Sequence, residues 1–309
     1  TTTLSTYAAE PTTIAAPKQV AGYYHHQIGN TQITALLDGT NYLNPSMFKG
    51  LNDSEKSQIL KKYHADQAKG MQTSINAFLI NTGTQLLMVD SGAASCFGNH
   101  LGSIYSNLKA SGYEPRQVND IFLTHLHPDH VCGISNNGVA NYPNATLHIS
   151  KNEYDYWLSP NTVKKLPKEQ QAAFLGTVEK IQAALAPYQK AQKIKVFSDK
   201  ALRFGAVEFK PSFGHTPGHY SFKLKSDGQE VVFIGDIVHS HTLQFEKPET
   251  SIEFDINPQA AIQTRLKHFA EYAKDGQLIA APHLPFPGLG HIYSKDGTSY
   301  QWIPVHFKD

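Results

Sequence analysis

The segment His125-Leu126-His127-Pro128-Asp129-His130 places four metal-ligand side chains within six residues. Nothing else in the chain constrains its fold as tightly. It runs directly on from Asp120-Ile121-Phe122-Leu123-Thr124, an apolar run that reads as a buried strand. Pro128 disfavours helix at His127, so the ligands sit on a loop at a strand end and can point in two directions. Imidazole with carboxylate suits zinc, iron, cobalt or manganese. A lone histidine is ordinarily a surface or core residue, but four ligand types on one loop point to a metal.

Three more candidates follow predicted strands. His215 lies in Gly214-His215-Thr216-Pro217-Gly218-His219, Asp236 closes Val231-Val232-Phe233-Ile234-Gly235-Asp236, and His283 follows Leu278-Ile279-Ala280-Ala281-Pro282. In α/β proteins ligands gather where strands end. These seven residues exceed the four that one tetrahedral ion takes, so two ions are expected.

The remainder supplies an alternating pattern. Strands are expected at residues 32–37, 75–81, 85–89, 120–124, 146–149, 204–210, 220–225, 230–234 and 277–281. Helices are expected at 52–69 (capped by Asn52 or Ser54), 101–110, 151–158, 168–186 (ended by Pro187) and from Asn257-Pro258 to about 273. This alternation means α/β. Residues 1–20, rich in Thr, Ala and Pro, read as a flexible arm, and 21–309 as a single domain. The balance of 27 Lys and Arg against 26 Asp and Glu removes the electrostatic case for nucleic acid. No run of 18 apolar residues predicts a membrane span. The chain starts at Thr1, so a periplasmic or secreted location is expected if a signal peptide was removed, and a cytoplasmic one otherwise. Cys96 and Cys132 are too few for a disulfide framework.

On the motif His-x-His-x-Asp-His followed in order by His, Asp and His, the chain resembles the metallo-β-lactamase superfamily. More narrowly, it resembles the methyl parathion hydrolase family (organophosphorus hydrolases and lactonases). That likeness is carried by Asp90-Ser91-Gly92-Ala93-Ala94, residues 124–131, Phe213 to His219, and His283-Leu284-Pro285-Phe286-Pro287-Gly288-Leu289-Gly290-His291. The resemblance implies a four-layer αβ/βα sandwich with a dinuclear metal site at one edge. His125, His127 and His215 would hold one ion, Asp129, His130 and His283 the other, and Asp236 would bridge them. Asp90 would orient a ligand histidine. An aromatic substrate pocket would fall on Phe97, Trp157 and Phe174. Two departures stand out: Cys132 occupies a position that is usually glycine and reads as a small buried residue, and His239 replaces an apolar pocket residue, making the pocket more polar.

The implied function is hydrolysis of small neutral esters, namely organophosphate triesters such as methyl parathion, aryl esters and lactones. A hydroxide bridging two divalent ions, with zinc the first choice, would attack, with Asp129 and Asp236 holding it. A homodimer is expected from the same resemblance. The rivals are a lactonase, a glyoxalase II-like thioesterase or β-lactamase, a di-iron redox protein, and a non-catalytic metal-binding protein. Residues 300–309 hold only Lys308 as a fixed cation, which speaks against the thioesterase.

Overall fold

The computed structural model describes residues 21–65, 68–198 and 202–308. The flexible arm expected at residues 1–20 lies outside them. Two seven-stranded sheets divide the chain in sequence order. The first contains, in spatial order, Tyr23–Ile28, Thr31–Leu43, Met71–Asn81, Leu86–Val89, Val118–Phe122, Thr146–Ser150 and Ile194–Phe197. The second contains Arg203–Phe204, Val207–Pro211, Tyr220–Ser226, Gln229–Phe233, Leu278–Ala280, Leu289–Tyr293 and Gln301–Pro304.

Side chains alternate across each strand, and here both faces are buried. Phe78 and Ile80 face the second sheet, packing in one cluster with Phe122, Phe222 and Phe233, while Leu79 packs with the helical residues Leu108, Ile181 and Leu185. In the second sheet Val231 and Phe233 face inward, and Val232 turns out to meet Phe269 and Tyr272 of the helix Pro258–Asp275. The layers are therefore helix, sheet, sheet, helix, as the family resemblance implies.

Parallel pairing decides where the chemistry can collect. Leu86–Val89, Val118–Phe122, Thr146–Ser150 and Ile194–Phe197 are successive parallel neighbours, and Gln229–Phe233 pairs in parallel with Leu278–Ala280. Their carboxyl ends therefore share one edge, where Asp90, His125, Asp236 and His283 follow.

Several expected boundaries move. The helix at 52–69 stops at Lys62, and His64 takes a left-handed φ of 53° that a helix does not accommodate. Asn52 and Glu55 form its capping box. Pro187 does not end its helix, which runs Lys168–Lys190. The extra turn buries Tyr188, whose hydroxyl lies 2.9 Å from the Ile134 carbonyl and 3.2 Å from that of Tyr142. The 120–124 strand is Val118–Phe122, so Leu123 and Thr124 already belong to the metal-motif turn. Ile194–Phe197, Leu289–Tyr293 and Gln301–Pro304 are strands that the sequence pattern misses.

Candidate metal centre

His127 takes an extended ψ of 148° and Pro128 opens a single helical turn, Pro128–Val131. This is the local geometry that proline imposes on its predecessor. It turns His125 and His127 one way and Asp129 and His130 the other. The Nε2 of His125 and the Nε2 of His215 each lie 3.0 Å from the Nδ1 of His127. Asp236 Oδ2 completes that group, 3.5 Å from His125 and 3.2 Å from His215. On the other side, Asp236 Oδ1 lies 3.2 Å from the Nε2 of both His130 and His283. Asp129 Oδ2 is 3.4 Å from His283 and 3.6 Å from His130. The two oxygens of one buried carboxylate thus face two separate clusters. All seven predicted ligands are brought together.

The outward ring nitrogens show which lone pairs face inward. His130 Nδ1 donates to Asp90 Oδ2 at 2.9 Å, His215 Nδ1 to Asp255 Oδ1 at 2.9 Å, and His283 Nδ1 to the Ser74 carbonyl at 3.0 Å. Thr124 donates its hydroxyl to Asp90 at 2.8 Å, so it accepts from His125 Nδ1 at 3.1 Å. These four histidines are held through Nδ1 and turn Nε2 into the cluster, while His127 turns in its Nδ1, the arrangement of metal-bound histidine. The buried His130 Nε2, His283 Nε2 and Asp236 Oδ1 have no hydrogen-bond partner among the described residues. Convergent lone pairs beside orphaned buried atoms fit divalent cations.

Charge is distributed unevenly. Burial disfavours charged His130, but Asp236, Asp129 and Asp90 outweigh it and hold its pKa well above the ordinary value. Burial likewise opposes charged His215, and hydrogen bonds to Asp236 and Asp255 raise its pKa to about 9. His127 is driven down to about 3 by burial and by the neighbouring His215. A cation entering would displace protons from the first two and meet a free lone pair on the third.

Asp90 both shapes its turn and orients ring nitrogens. It stands at a left-handed φ of 57° in the turn after Leu86–Val89, and its carboxylate orients His130 directly and His125 through Thr124. Sequence reasoning missed Asp255, which holds His215 and accepts from the Ile252 amide at 3.0 Å. It lies 40 residues from its partner, and no local pattern reveals it. His219 was also passed over. Its Nε2 accepts from the Asp236 amide at 2.9 Å, and Gly235 is required there because a Cβ would come within 2.4 Å of that nitrogen.

Above the cluster lies a cavity of about 480 Å³ that Phe97, Trp157, Phe174, His239, Phe254 and Lys180 help to line. Trp157 and Phe174 stack with centroids 5.1 Å apart and 11° between planes, and Trp157 meets His127 edge-on at 5.4 Å. Phe97 is 43% exposed, with Lys180 Nζ 4.8 Å from its ring centre. His239 does more than make the wall polar: its Nε2 lies 3.0 Å from Asp236 Oδ2 and its ring stacks on His283.

Cys132 is buried, as expected, and the structure adds what the sequence pattern does not show: a disulfide with Cys96, the Cα atoms 6.4 Å apart and 36 positions apart in sequence. The turn after Asp90 brings them together. Ser91 donates its amide to the His130 carbonyl at 2.8 Å, and Gly133 donates to the Gly92 carbonyl at 3.1 Å, which folds the Cys96 loop against the segment after His130.

The family model of the metallo-beta-lactamase superfamily matches residues 70–270. A solved hydrolase of the beta lactamase superfamily, AbOPH, is 62% identical, with a TM-score of 0.92 over 94% of this chain and 100% of that one. AidC, a dizinc quorum-quenching lactonase solved with the product N-hexanoyl-L-homoserine, is 26% identical, with a TM-score of 0.80 over 93% of this chain and 99% of its own. A probable metal-dependent hydrolase from Staphylococcus aureus shares the fold at 20% identity, with a TM-score of 0.72 over 92% of this chain and 100% of its own. Among curated proteins none matches the chain. With its model spanning most of the chain and its ligand set assembled at the sheet edge, the chain belongs to the metallo-β-lactamase superfamily.

Proposed function

We propose that this protein is a dinuclear metal-dependent hydrolase of small neutral esters: aryl esters, lactones and organophosphate triesters. The observation that carries the reading is Asp236, whose two oxygens each face a distinct group of inward lone pairs. His125, His127 and His215 would hold one ion, and Asp129, His130 and His283 the other. Bound there, two divalent ions would lower the pKa of bound water toward roughly 7 and polarise the ester oxygen. Zinc is the first choice, and manganese, cobalt and iron suit the same donors.

The rest falls to the chain itself. Asp236 and Asp129 place carboxylates beside the reacting centre to orient the attacking water. Asp90, Asp255 and the Ser74 carbonyl hold His130, His215 and His283 in register. The cavity is mostly apolar, and the stacked pair Trp157 and Phe174 forms part of its wall beside His127, which suits a neutral substrate carrying an aromatic group. Lactones gain weight from the likeness to AidC, solved with a ring-opened homoserine product, and hydrolase chemistry in general from AbOPH. Residues 21–309 would act as one domain within a homodimer.

The test is a turnover panel on metal-replete protein: a phosphotriester, an aryl ester, an aromatic lactone, an acyl-homoserine lactone and a β-lactam. Hydrolysis of aromatic lactone and aryl ester above the β-lactam is expected. Activity confined to the β-lactam, or none on any member with two ions bound, would overturn the reading.

A further inference from the structure

Glu153 sits in the first turn of the helix Lys151–Leu158 and is 1% exposed. Its carboxylate accepts four hydrogen bonds, two at each oxygen. Oε1 receives the Leu126 amide at 2.9 Å and the Trp157 indole N–H at 2.7 Å. Oε2 receives the Thr216 hydroxyl at 2.6 Å and the Gly218 amide at 3.1 Å. None of these donors is a cation, so the hydrogen bonds alone must offset the cost of burying the group. Only a carboxylate offers two acceptor-only oxygens; a glutamine would turn an NH2 toward two donors.

The four donors come from three places. Leu126 lies between His125 and His127. Thr216 and Gly218 follow His215. Trp157 is the cavity wall that stacks on Phe174 and meets His127. Gly218 shows how closely the second loop is pressed: a Cβ there would come within 2.1 Å of the Glu153 backbone nitrogen and 2.5 Å of Ser150 Oγ. Ser150 in turn donates to the Gly218 carbonyl at 2.6 Å.

We propose that Glu153 is a positioning residue that sets the spacing of His125, His127 and His215 and fastens the Trp157 wall to that ligand group. The opposite group is anchored by other atoms, with His130 on Asp90 and on the Ser91 amide, and His283 on Ser74. Disturbing Glu153 should therefore weaken one ion and leave the other. The inference rests on the dinuclear reading above.

The experiment titrates metal-free protein with cobalt, comparing wild type with Glu153→Gln, His215→Ala and His283→Ala. Loss of a group that orients a ligand typically costs 10–100-fold in metal affinity. For Glu153→Gln that loss is expected in the same binding step that His215→Ala removes. The step that His283→Ala removes should stay within about threefold of wild type. Indole emission of metal-free protein, recorded in a Trp302→Phe background, should shift in Glu153→Gln as Trp157 loses its acceptor. Thr216→Val removes one donor at nearly constant shape and should show the same asymmetry more weakly. It decides the matter should Glu153→Gln fail to fold. Equal weakening of both steps overturns the inference, and so does a fall in Tm with both affinities unchanged. Wild type binding fewer than two cobalt ions overturns the dinuclear reading and this inference with it.

Discussion

At the residue scale, Asp236 carries more of the site than any histidine. Each of its oxygens serves a different cluster, so Asp236→Asn replaces one ligand oxygen with a group that donates. Metal analysis after reconstitution should find fewer than two ions per chain in Asp236→Asn and a larger loss of turnover than in His283→Ala. Two tightly held ions in Asp236→Asn would remove its bridging role. Asp255→Asn should weaken metal binding by about 10–100-fold while leaving all seven ligands in place, because it frees His215 to rotate; unchanged affinity in a cobalt titration would sink that idea. The seven candidate ligands were legible in the sequence because each is a ligand-type residue just past a strand. Asp255 and Glu153 were not. Besides one local partner each, they reach partners 40 residues away for Asp255, and 27, 63 and 65 away for Glu153, distances that only the tertiary fold closes.

At the scale of elements, strands with a strong apolar run were legible and those at the margins were not. Ile194–Phe197 exposes Lys195 and Val196, and Gln301–Pro304 exposes three of its four residues, so neither shows the burial pattern of a core strand. Pro187 misled because proline is a strong helix breaker in isolation, whereas here buried Tyr188 secures the last turn. The Cys96–Cys132 bridge joins the turn after Leu86–Val89 to the segment following Pro128–Val131. Closing a 36-residue separation removes about 3–4 kcal/mol of unfolded-state entropy in the chain-entropy picture. Cys96→Ser with Cys132→Ser should therefore lower Tm by roughly 5–10 °C with both metals retained; a melting curve that does not move would mean the bridge is energetically idle. The stack of Trp157 on Phe174 has its own test. Loss of one aromatic contact is worth about 0.5–1.5 kcal/mol, so Trp157→Ala should raise KM for aryl esters roughly threefold to tenfold. Aliphatic esters should respond less, and an equal rise for both would mean that Trp157 serves packing and does not grip the aryl group.

At the scale of the whole molecule, the cluster of histidines and aspartates acts as a seam. The first sheet supplies His125, His127, Asp129 and His130 from one loop, and the second supplies His215, Asp236 and His283. The apolar layer between the sheets, with Phe78, Phe122, Phe222 and Phe233 at its centre, already holds the halves together without any cation. At the site edge, by contrast, buried carboxylates and histidines crowd together. Bound ions should therefore add to stability without being needed for folding. Ligand held at a hundred times its Kd contributes about 2.7 kcal/mol per site, which corresponds to a Tm change on the order of 5–10 °C in a chain of this size. Chelator-treated protein is expected to keep its far-ultraviolet circular dichroism and a cooperative melt, with the midpoint lowered by that amount and restored by adding zinc or cobalt. A metal-free chain without a cooperative transition would place the ions in the folding core. An unchanged midpoint would mean that the seam binds no metal of consequence. The intermediate result is the one the two-sheet architecture predicts, since the layer that joins the halves and the edge that binds the ions are built from different residues.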